Sequence, residues 1–170
     1  FDDACRILAR FAVHDLQIVQ HYTRHGQSCH FCSLCFRFDI GKNETVNFVQ
    51  PNAQAVALNR VIGSDPSAIY GNLNANGQVF LINPNGVLFA QGANVNVGGL
   101  VATTLDGKLD GQRLILEDTT NKGQVSNAGN IVAARVALIA PAVSNSGSIT
   151  TNGGVTALAA GNAVTVNTGD

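Results

Sequence analysis

The sequence predicts an all-β protein, a right-handed parallel β-helix that carries a small extra hairpin. Short runs of strand-forming residues alternate with corners rich in Asn and Gly, and one such unit recurs toward the C-terminal end. "VSNAGNI" at 125–131 returns as "VSNSGSI" at 143–149, and "VALIA" at 136–140 returns as "VTALAA" at 155–160. These offsets of 18 and 19 residues are typical of a solenoid, in which stacked turns of chain bury a shared core. We expect a right-handed coil because crossovers between parallel strands almost always take that hand.

Composition limits the function classes. Hydrophobic residues make up 45% of the 170 residues and charged residues only 12%, which is not the composition of a disordered chain. The net charge of -1 leaves no basic surface for a phosphate backbone, so we expect no nucleic-acid partner. No apolar run reaches the roughly 18 residues of a membrane-spanning helix, and the first residues do not have the basic-then-apolar pattern that we would expect of a leader peptide. If the protein is exported, we expect its signal peptide to lie outside this chain.

The first 37 residues differ in composition from residues 38–170, which we expect to form the β-helical domain. Apolar residues recur near helical spacing, and this pattern predicts a short amphipathic helix over residues 3–20. The residues of this pattern are Ala4, Leu8, Phe11, Ala12 and Val19. All the cysteines and histidines of the chain precede residue 38, namely Cys5, Cys29, Cys32, Cys35, His14, His21, His25 and His30.

The Cys/His-rich stretch permits three interpretations. Its ligands for a tetrahedral zinc site would be His25, Cys29, His30, Cys32 and Cys35. A complete zinc site normally needs a second, distant ligand pair, and no Cys or His follows residue 35. Disulfides in an oxidising compartment are the second alternative, and incidental thiols are the third. We expect no metal, no cofactor and no catalytic site in this segment, and the redox state of its cysteines stays open.

From about residue 46 the chain reads as strands too short to form a stable sheet alone. The candidate strands are Val46–Val49, Val56–Val61, Val79–Ile82, Val87–Phe89, Val95–Val97 and Leu100–Thr104. Inward-facing side chains should stack on their equivalents one rung away, about 4.8 Å along the axis. At the corners we expect Asn127 and Asn145 to bond to each other, and Gly129 and Gly147 to adopt positive φ.

The stretch "QVFLINPNGVLF" at 78–89 predicts a corner between two strands. Asn83 suits the first position of a type I turn, Pro84 presets φ at the second position, and Gly86 suits the fourth. A two-residue hairpin would need primed geometry, which a proline at the first central position forbids.

Residues 105–118 interrupt the repeat of short apolar strands and contain six charged residues. Asp110-Gly111 is a good hairpin turn, so we expect a small hairpin that projects from the wall of the solenoid. Its charges indicate either a solvated loop or a docking element for a partner.

From Phe38 onward the chain closely resembles the amino-terminal secretion domain of two-partner-secretion exoproteins, which include filamentous haemagglutinins and high-molecular-weight adhesins. "FDIG" at 38–41, "VALNRVIG" at 56–63, "GQVFLINPNG" at 77–86 and "LVATTLD" at 100–106 carry the resemblance. It implies a right-handed parallel β-helix that a dedicated outer-membrane transporter binds through its periplasmic domains. It also implies a secreted or cell-surface location and a role in fold or secretion for the NPNG turn, which is Asn83, Pro84, Asn85 and Gly86.

The segment before "FDIG" departs from this family. Where the family has a Gly/Asn-rich strand segment that caps the β-helix, this chain has "CHFCSLCFRF" at 29–38. The simplest cause is a changed reading frame or coding sequence upstream of about Phe38. We therefore expect residues 1–37 to pack poorly or variably.

Three functions are compatible with a β-solenoid. The resemblance favours a secretion-recognition domain of a large exoprotein, with a structural or adhesive solenoid fragment as the alternative. A carbohydrate-active enzyme is disfavoured because the chain lacks a cluster of Asp, Glu, Lys or Arg for acid–base work, and a Cys–His nucleophile would lack an orienting third group. We expect a monomer that is not an enzyme and has no small-molecule substrate.

Overall fold

The computed structural model describes residues 15–19, 30–35, 37–110, 113–117 and 123–167, and in them the chain forms a parallel β-helix with three sheets. Sheet A contains β1 (Asp15–Val19), β3 (Thr45–Val49), β6 (Asn72–Ala75), β9 (Asn94–Asn96), β14 (Asn130–Ala133) and β17 (Ser148–Thr151). Sheet B contains β2 (His30–Cys35), β4 (Val56–Val61), β7 (Gln78–Ile82), β10 (Gly99–Thr103), β15 (Arg135–Ala140) and β18 (Thr156–Ala160). Sheet C contains β5 (Ser67–Ile69), β8 (Val87–Phe89), β13 (Gln124–Asn127) and β16 (Ala142–Asn145).

Each turn of chain visits sheets A, B and C in that order, so one rung contributes one strand to each sheet. The predicted parallel β-helix is therefore confirmed, and the six candidate strands lie within one residue of β3, β4, β7, β8, β9 and β10. The hand of the coil stays a prediction from the crossover rule.

The strand register between rungs confirms the predicted offset of 18 residues, but the predicted offset of 19 residues differs from the register by one residue. Val125 lies opposite Val143, as the offset of 18 predicts. In sheet B, Val136 pairs with Thr156 instead of Val155, one residue later than the sequence echo. The corner between sheets A and B is longer there, and the backbone ladder sets the register.

The predicted helix over residues 3–20 is wrong where the structure describes it. Residues 15–19 form β1, which pairs in parallel with β3 so that Ile18 lies opposite Phe48. A run as short as "LQIV" fits either period, and the free backbone edge of β3 favours the strand. Residues 3–14 lie outside the described residues.

Strand pairing also extends across the predicted boundary at residue 38. β2, which contains Cys32 and Cys35, pairs in parallel with β4 along its whole length. Cys5 and Cys29 lie outside the described residues. The division into residues 1–37 and 38–170 stays a prediction from composition.

The core fills the space between the three sheets. Ladders of aliphatic and aromatic side chains run along the axis, such as Leu73 on Val95 in sheet A and Val79 on Leu100 in sheet B. These side chains are at most 2% exposed. Full burial of one such side chain stabilises the fold by about 1.5–3 kcal/mol, and stacked rungs share this gain.

β4, β7, β10 and β15 of sheet B are buried on both faces, which explains their nearly continuous apolar sequences. The outer face of sheet B packs under a three-stranded antiparallel sheet, which consists of β11 (Asp106–Asp110), β12 (Arg113–Glu117) and β19 (Ala163–Asn167). Leu116 from this layer contacts the cluster that contains Phe80 and Ile82.

The charged insertion is thus a hairpin, as predicted, but it lies flat on the wall instead of projecting from it. β12 has three consecutive apolar residues between two charged ends, and Leu116 among them is buried against the outer residues of sheet B. Arg60 of β4 fixes the hairpin at its start, because its guanidinium donates to the Asp106 carboxylate and the Gly107 carbonyl.

The predicted positive φ at Gly129 and Gly147 is wrong. Among the glycines of the described residues, positive φ occurs at Gly86, Gly92 and Gly153. Gly129 and Gly147 are needed for a different reason, since the corners of successive rungs approach closely there. A Cβ at Gly147 would lie 2.2 Å from the Gly129 carbonyl oxygen.

The outer layer gives the first testable prediction. Leu116→Ala should lower the free energy of unfolding by about 2–5 kcal/mol, because Leu116 is 1% exposed and fills the space over sheet B. Ile115→Ala is the matched control, since Ile115 is only half-buried. Urea unfolding of both variants measures the difference, and equal losses would contradict the packing described.

The close approach of corners gives a second prediction. Gly147→Ala should destabilise the protein by more than 1 kcal/mol, since two backbones must separate to admit the methyl group. Gly161→Ala is its control, because a Cβ at Gly161 meets nothing within 4 Å. Thermal unfolding midpoints compare the two, and an unchanged midpoint for Gly147→Ala would show that the corners are not in contact.

Candidate functional site: the NPNG corner

The NPNG turn connects β7 in sheet B with β8 in sheet C. The Gly86 amide donates to the Asn83 carbonyl oxygen over 3.1 Å and closes a four-residue turn. Gly86 has φ of 132°, a value that favours glycine. Because β7 and β8 belong to different sheets, the predicted corner is confirmed and the hairpin alternative is excluded.

Asn83 is completely buried, and its side chain uses its full hydrogen-bonding capacity. Its Nδ2 donates to the Asp65 carbonyl oxygen and to Ser67 Oγ, both over 3.0 Å. Its Oδ1 accepts hydrogen bonds from the amide and the Nδ2 of Asn85, at 3.0 and 3.1 Å. Asn83 therefore stabilises its own turn and ties it to the preceding rung.

Asn85 and Gly86 complete the attachment to the preceding rung. Asn85 Nδ2 donates to the Gly63 carbonyl oxygen over 2.8 Å, and the Gly86 carbonyl oxygen accepts from the Ser67 amide over 3.0 Å. Pro84 and Asn85 are half-buried, so they form the accessible part of the corner.

The following rung lies on the other side of the corner. The Asn83 amide donates to the Thr103 carbonyl oxygen over 2.9 Å. A Cβ at Gly123 would lie 2.4 Å from the Pro84 carbonyl oxygen, so only glycine fits there. The NPNG corner is thus enclosed between the preceding and following turns of chain.

These partners of the corner were missed by the sequence analysis. Gly63, Asp65 and Ser67 precede the motif by about one rung, and Thr103 follows it by about one rung. The usable signal is the cluster of turn-forming residues "GSDPS" at 63–67, which a repeat of about 20 residues would place beside NPNG.

Two further corners are held by amide side chains. Asn127 Nδ2 donates to Asn145 Oδ1 over 2.8 Å, which confirms the predicted ladder. At another corner, Gln50 is 4% exposed, and its side chain bonds to the Gly77 amide and the Ala55 carbonyl oxygen. Sequence reasoning missed Gln50, because its partners lie one corner away or one rung away.

The segment "FDIG" covers the edge of β5 in sheet C. Ile40 forms an isolated parallel bridge with Ile69, and Asp39 Oδ1 accepts from the Ala68 amide over 2.8 Å. The Arg37 guanidinium contacts the Asp39 carboxylate and lies 3.7 Å from that of Asp65. The hydrogen bond from Arg37 to Asp39 raises the pKa of the Arg37 guanidinium. A covered edge does not pair with other chains.

The polar groups of the corner are used in holding the rungs together, and no reactive arrangement accompanies them there. In the part of the chain that the structure describes, no three His, Cys, Asp or Glu side chains are grouped so that they could hold a metal ion. The same residues contain no helix that is long and apolar enough to cross a membrane. The side chains of the Cys/His-rich stretch lie outside this description, so the zinc, disulfide and free-thiol interpretations stay open.

Fold and site together define a class, the β-solenoid module whose corners are held by hydrogen bonds from asparagine side chains to neighbouring rungs. The family model of the TPS secretion domain matches residues 17–170. The chain belongs to the TPS secretion domain family, the secretion domains of two-partner-secretion exoproteins.

Similar proteins agree with this assignment. The heme/hemopexin-binding protein of Haemophilus influenzae strain Rd is 45% identical over 137 residues, which is 73% of this chain and 15% of that protein. A second heme/hemopexin-binding protein of Haemophilus influenzae is 61% identical over 69 residues, which is 41% of this chain and 7% of that protein. The crystal structure of the HMW1 secretion domain from Haemophilus influenzae superposes with a TM-score of 0.74 at 36% identity, covering 79% of this chain and 38% of that chain.

The family match assigns the general role. This chain is a secretion-recognition domain of a large exported protein, and TPS domains work with a dedicated outer-membrane transporter. TPS exoproteins are secreted across the outer membrane. The chain spans only a small part of the curated relatives it matches, so the activity of the whole protein is a separate question.

The corner gives a third prediction. Asn83→Ala should lower the free energy of unfolding by about 2–4 kcal/mol, because it opens a cavity at a fully buried site and leaves the buried Ser67 hydroxyl without its partner. Asp65 and Asn85 also lose hydrogen bonds to the Asn83 side chain. Asn85→Ala should cost less, since Asn85 is half-buried and water can replace it. Urea unfolding compares the two variants.

Asn83→Asp is a useful control for this prediction. The substitution keeps the shape and the acceptor toward Asn85, but it removes the donors to Asp65 and Ser67. A loss as large as that of Asn83→Ala is expected. Full stability in the aspartate variant would show that the bonds to the preceding rung contribute little.

Proposed function

We propose that a dedicated outer-membrane transporter recognises this domain in the periplasm, while the chain is still extended. Short strands rich in Val and Ile would add to exposed sheet edges of the transporter's periplasmic domains by β-augmentation. The exoprotein would then fold after it emerges outside the cell and remain secreted or at the cell surface, with the domain as a monomer.

The observation that carries this proposal is how the strand edges are used in the folded domain. From β3 to β15, every strand of sheet A and sheet B pairs with a neighbour on both of its edges. β-Augmentation needs unpaired backbone N–H and C=O groups along an edge. A folded β-helix offers such groups at its ends, whereas an extended chain offers them along its whole length.

The rung topology also supports folding during emergence. Each parallel pair joins consecutive rungs, so a completed rung presents its edge to the next one without a long-range search. The NPNG corner belongs to an early rung, and its bonds reach only the preceding and following rungs. Closure of this corner would therefore precede the addition of β13 to β18 and would oppose return of the chain to the periplasm.

The role of the NPNG residues in this proposal is to accelerate folding, and the alternative is that they only stabilise the finished corner. The activity of the whole exoprotein would lie in other parts of that protein. Because two relatives are named heme/hemopexin-binding proteins, heme and hemopexin are the first ligands to test with the longer protein.

The fourth prediction tests recognition. The domain is placed behind a signal peptide and expressed with its cognate transporter, with a non-cognate transporter, or with neither. We expect release into the medium with the cognate transporter alone. Equal release through both transporters, or release with neither present, would show that the domain is not a specific secretion signal and would favour a structural or adhesive solenoid.

A matched pair of variants tests the role of the corner in the same assay. The double variant Asn83→Leu with Asn85→Leu should lower export through the cognate transporter by about tenfold, because an early rung no longer closes. Gly147→Ala disturbs a later rung and should lower export less at similar loss of stability. Equal export of the two variants at matched stability would show that the NPNG residues act only through overall stability.

A further inference from the structure

A cavity of about 270 Å³ opens on the outer face of sheet B, at the end of the strands that lies away from the NPNG corner. Its lining includes Gln78, Phe80, Gly99, Val101, Arg135 and Val166. None of these residues belongs to the corner described above, so the cavity is a separate feature.

Strand register explains the shape of the cavity. Gln78, Gly99 and Arg135 are the first residues of β7, β10 and β15, and they lie directly opposite one another across sheet B. Because Gly99 has no side chain, it leaves a depression between its two long neighbours. A Cβ at Gly99 would come within 3.2 Å of Gln78 Cγ, so the glutamine side chain lies over the depression.

The interior of the cavity is apolar. Its floor is formed by Phe80, Val101 and Ala137, whose side chains are at most 9% exposed. Val166 of β19 lines the cavity from the antiparallel layer that covers this face, and Val155 lies at its rim with 66% exposure. A narrow apolar cleft with few polar groups at its mouth is the usual form of a small-molecule site.

The polar group at the mouth is a cation. Arg135 is the one charged residue in the sequence between residues 123 and 167, and it is exposed. The ion pairs between described residues are formed by Arg37 and Arg60, and Arg135 takes part in none of them. A guanidinium binds a carboxylate well, because its fork of N–H groups matches both carboxylate oxygens.

We propose that this cavity binds the carboxylate form of a medium-chain fatty acid. The alkyl chain lies on Phe80, Val101 and Ala137 under Val166, and the carboxylate accepts hydrogen bonds from Arg135 with the Gln78 amide beside it. The cavity is slightly below the lower end of the usual range for ligand sites, about 300 Å³, so it suits one unbranched chain of medium length. This site is independent of the proposed secretion mechanism.

The fifth prediction tests this site by displacement of a fluorescent dansyl fatty acid with decanoate and with decanol. Both competitors have the same chain length, and only decanoate carries the charge. We expect decanoate to compete about tenfold better than decanol, which corresponds to one charged hydrogen bond. Raised salt should narrow this difference, because Arg135 is exposed.

Variants assign the binding to the cavity. Arg135→Gln should remove the preference for decanoate, and Arg135→Lys should retain part of it. Ala157 of β18 also lines the cavity, so Ala157→Phe should fill the cleft and weaken both competitors. Arg113→Gln is the matched control, because Arg113 is exposed and does not line the cavity. Circular dichroism confirms that each variant is folded.

Other results would overturn the proposal. Equal competition by decanoate and decanol, or an unchanged decanoate preference in Arg135→Gln, would show that Arg135 does not select a carboxylate. The longer exoprotein is tested in parallel with the 170-residue chain. If the 170-residue protein binds the fatty acid and the longer exoprotein does not, residues after 170 cover the cleft, and the fatty-acid site would be rejected.

Discussion

Parallel backbone hydrogen bonds between successive rungs are the interaction on which the other features of this domain depend. The strands are three to six residues long, and none of them could form a stable sheet alone. Stacking pairs the edges of each strand and aligns equivalent side chains into ladders. Successive corners must then lie one rung spacing apart. Glycine is therefore needed where two backbones come close, and asparagine is favoured where side-chain amides can hydrogen-bond along the axis.

The NPNG corner shows how local and tertiary requirements combine at one place. Pro84 and Gly86 suit the turn itself, whereas Asn83 is buried because its side chain must reach the preceding rung. The inserted hairpin begins at the equivalent corner of the next rung. There the Leu105 amide donates a hydrogen bond to Thr103 Oγ1. The insertion therefore lengthens one rung without changing the stack, and it covers the apolar outer face of sheet B.

Several features were determined by the sequence itself. Runs of Val, Ile and Leu between turn residues located six of the strands to within a residue, and the repeat of 18 residues located the ladder of Asn127 on Asn145. Pro84 favoured a corner over a hairpin at NPNG, because proline fixes φ locally. These inferences succeeded because each depends on neighbours in the sequence or on a repeat that is visible in it.

Other features were decided only by tertiary structure. Residues 15–19 have an ambiguous period and became a strand because β3 offers a backbone edge. Gly129 and Gly147 are required by a close approach between rungs, which no local φ preference reveals. The position of the hairpin on sheet B depends on Arg60, which lies 46 residues before its partner Asp106. In each case the deciding contact comes from another rung, and a single sequence does not show which side chains another rung brings near.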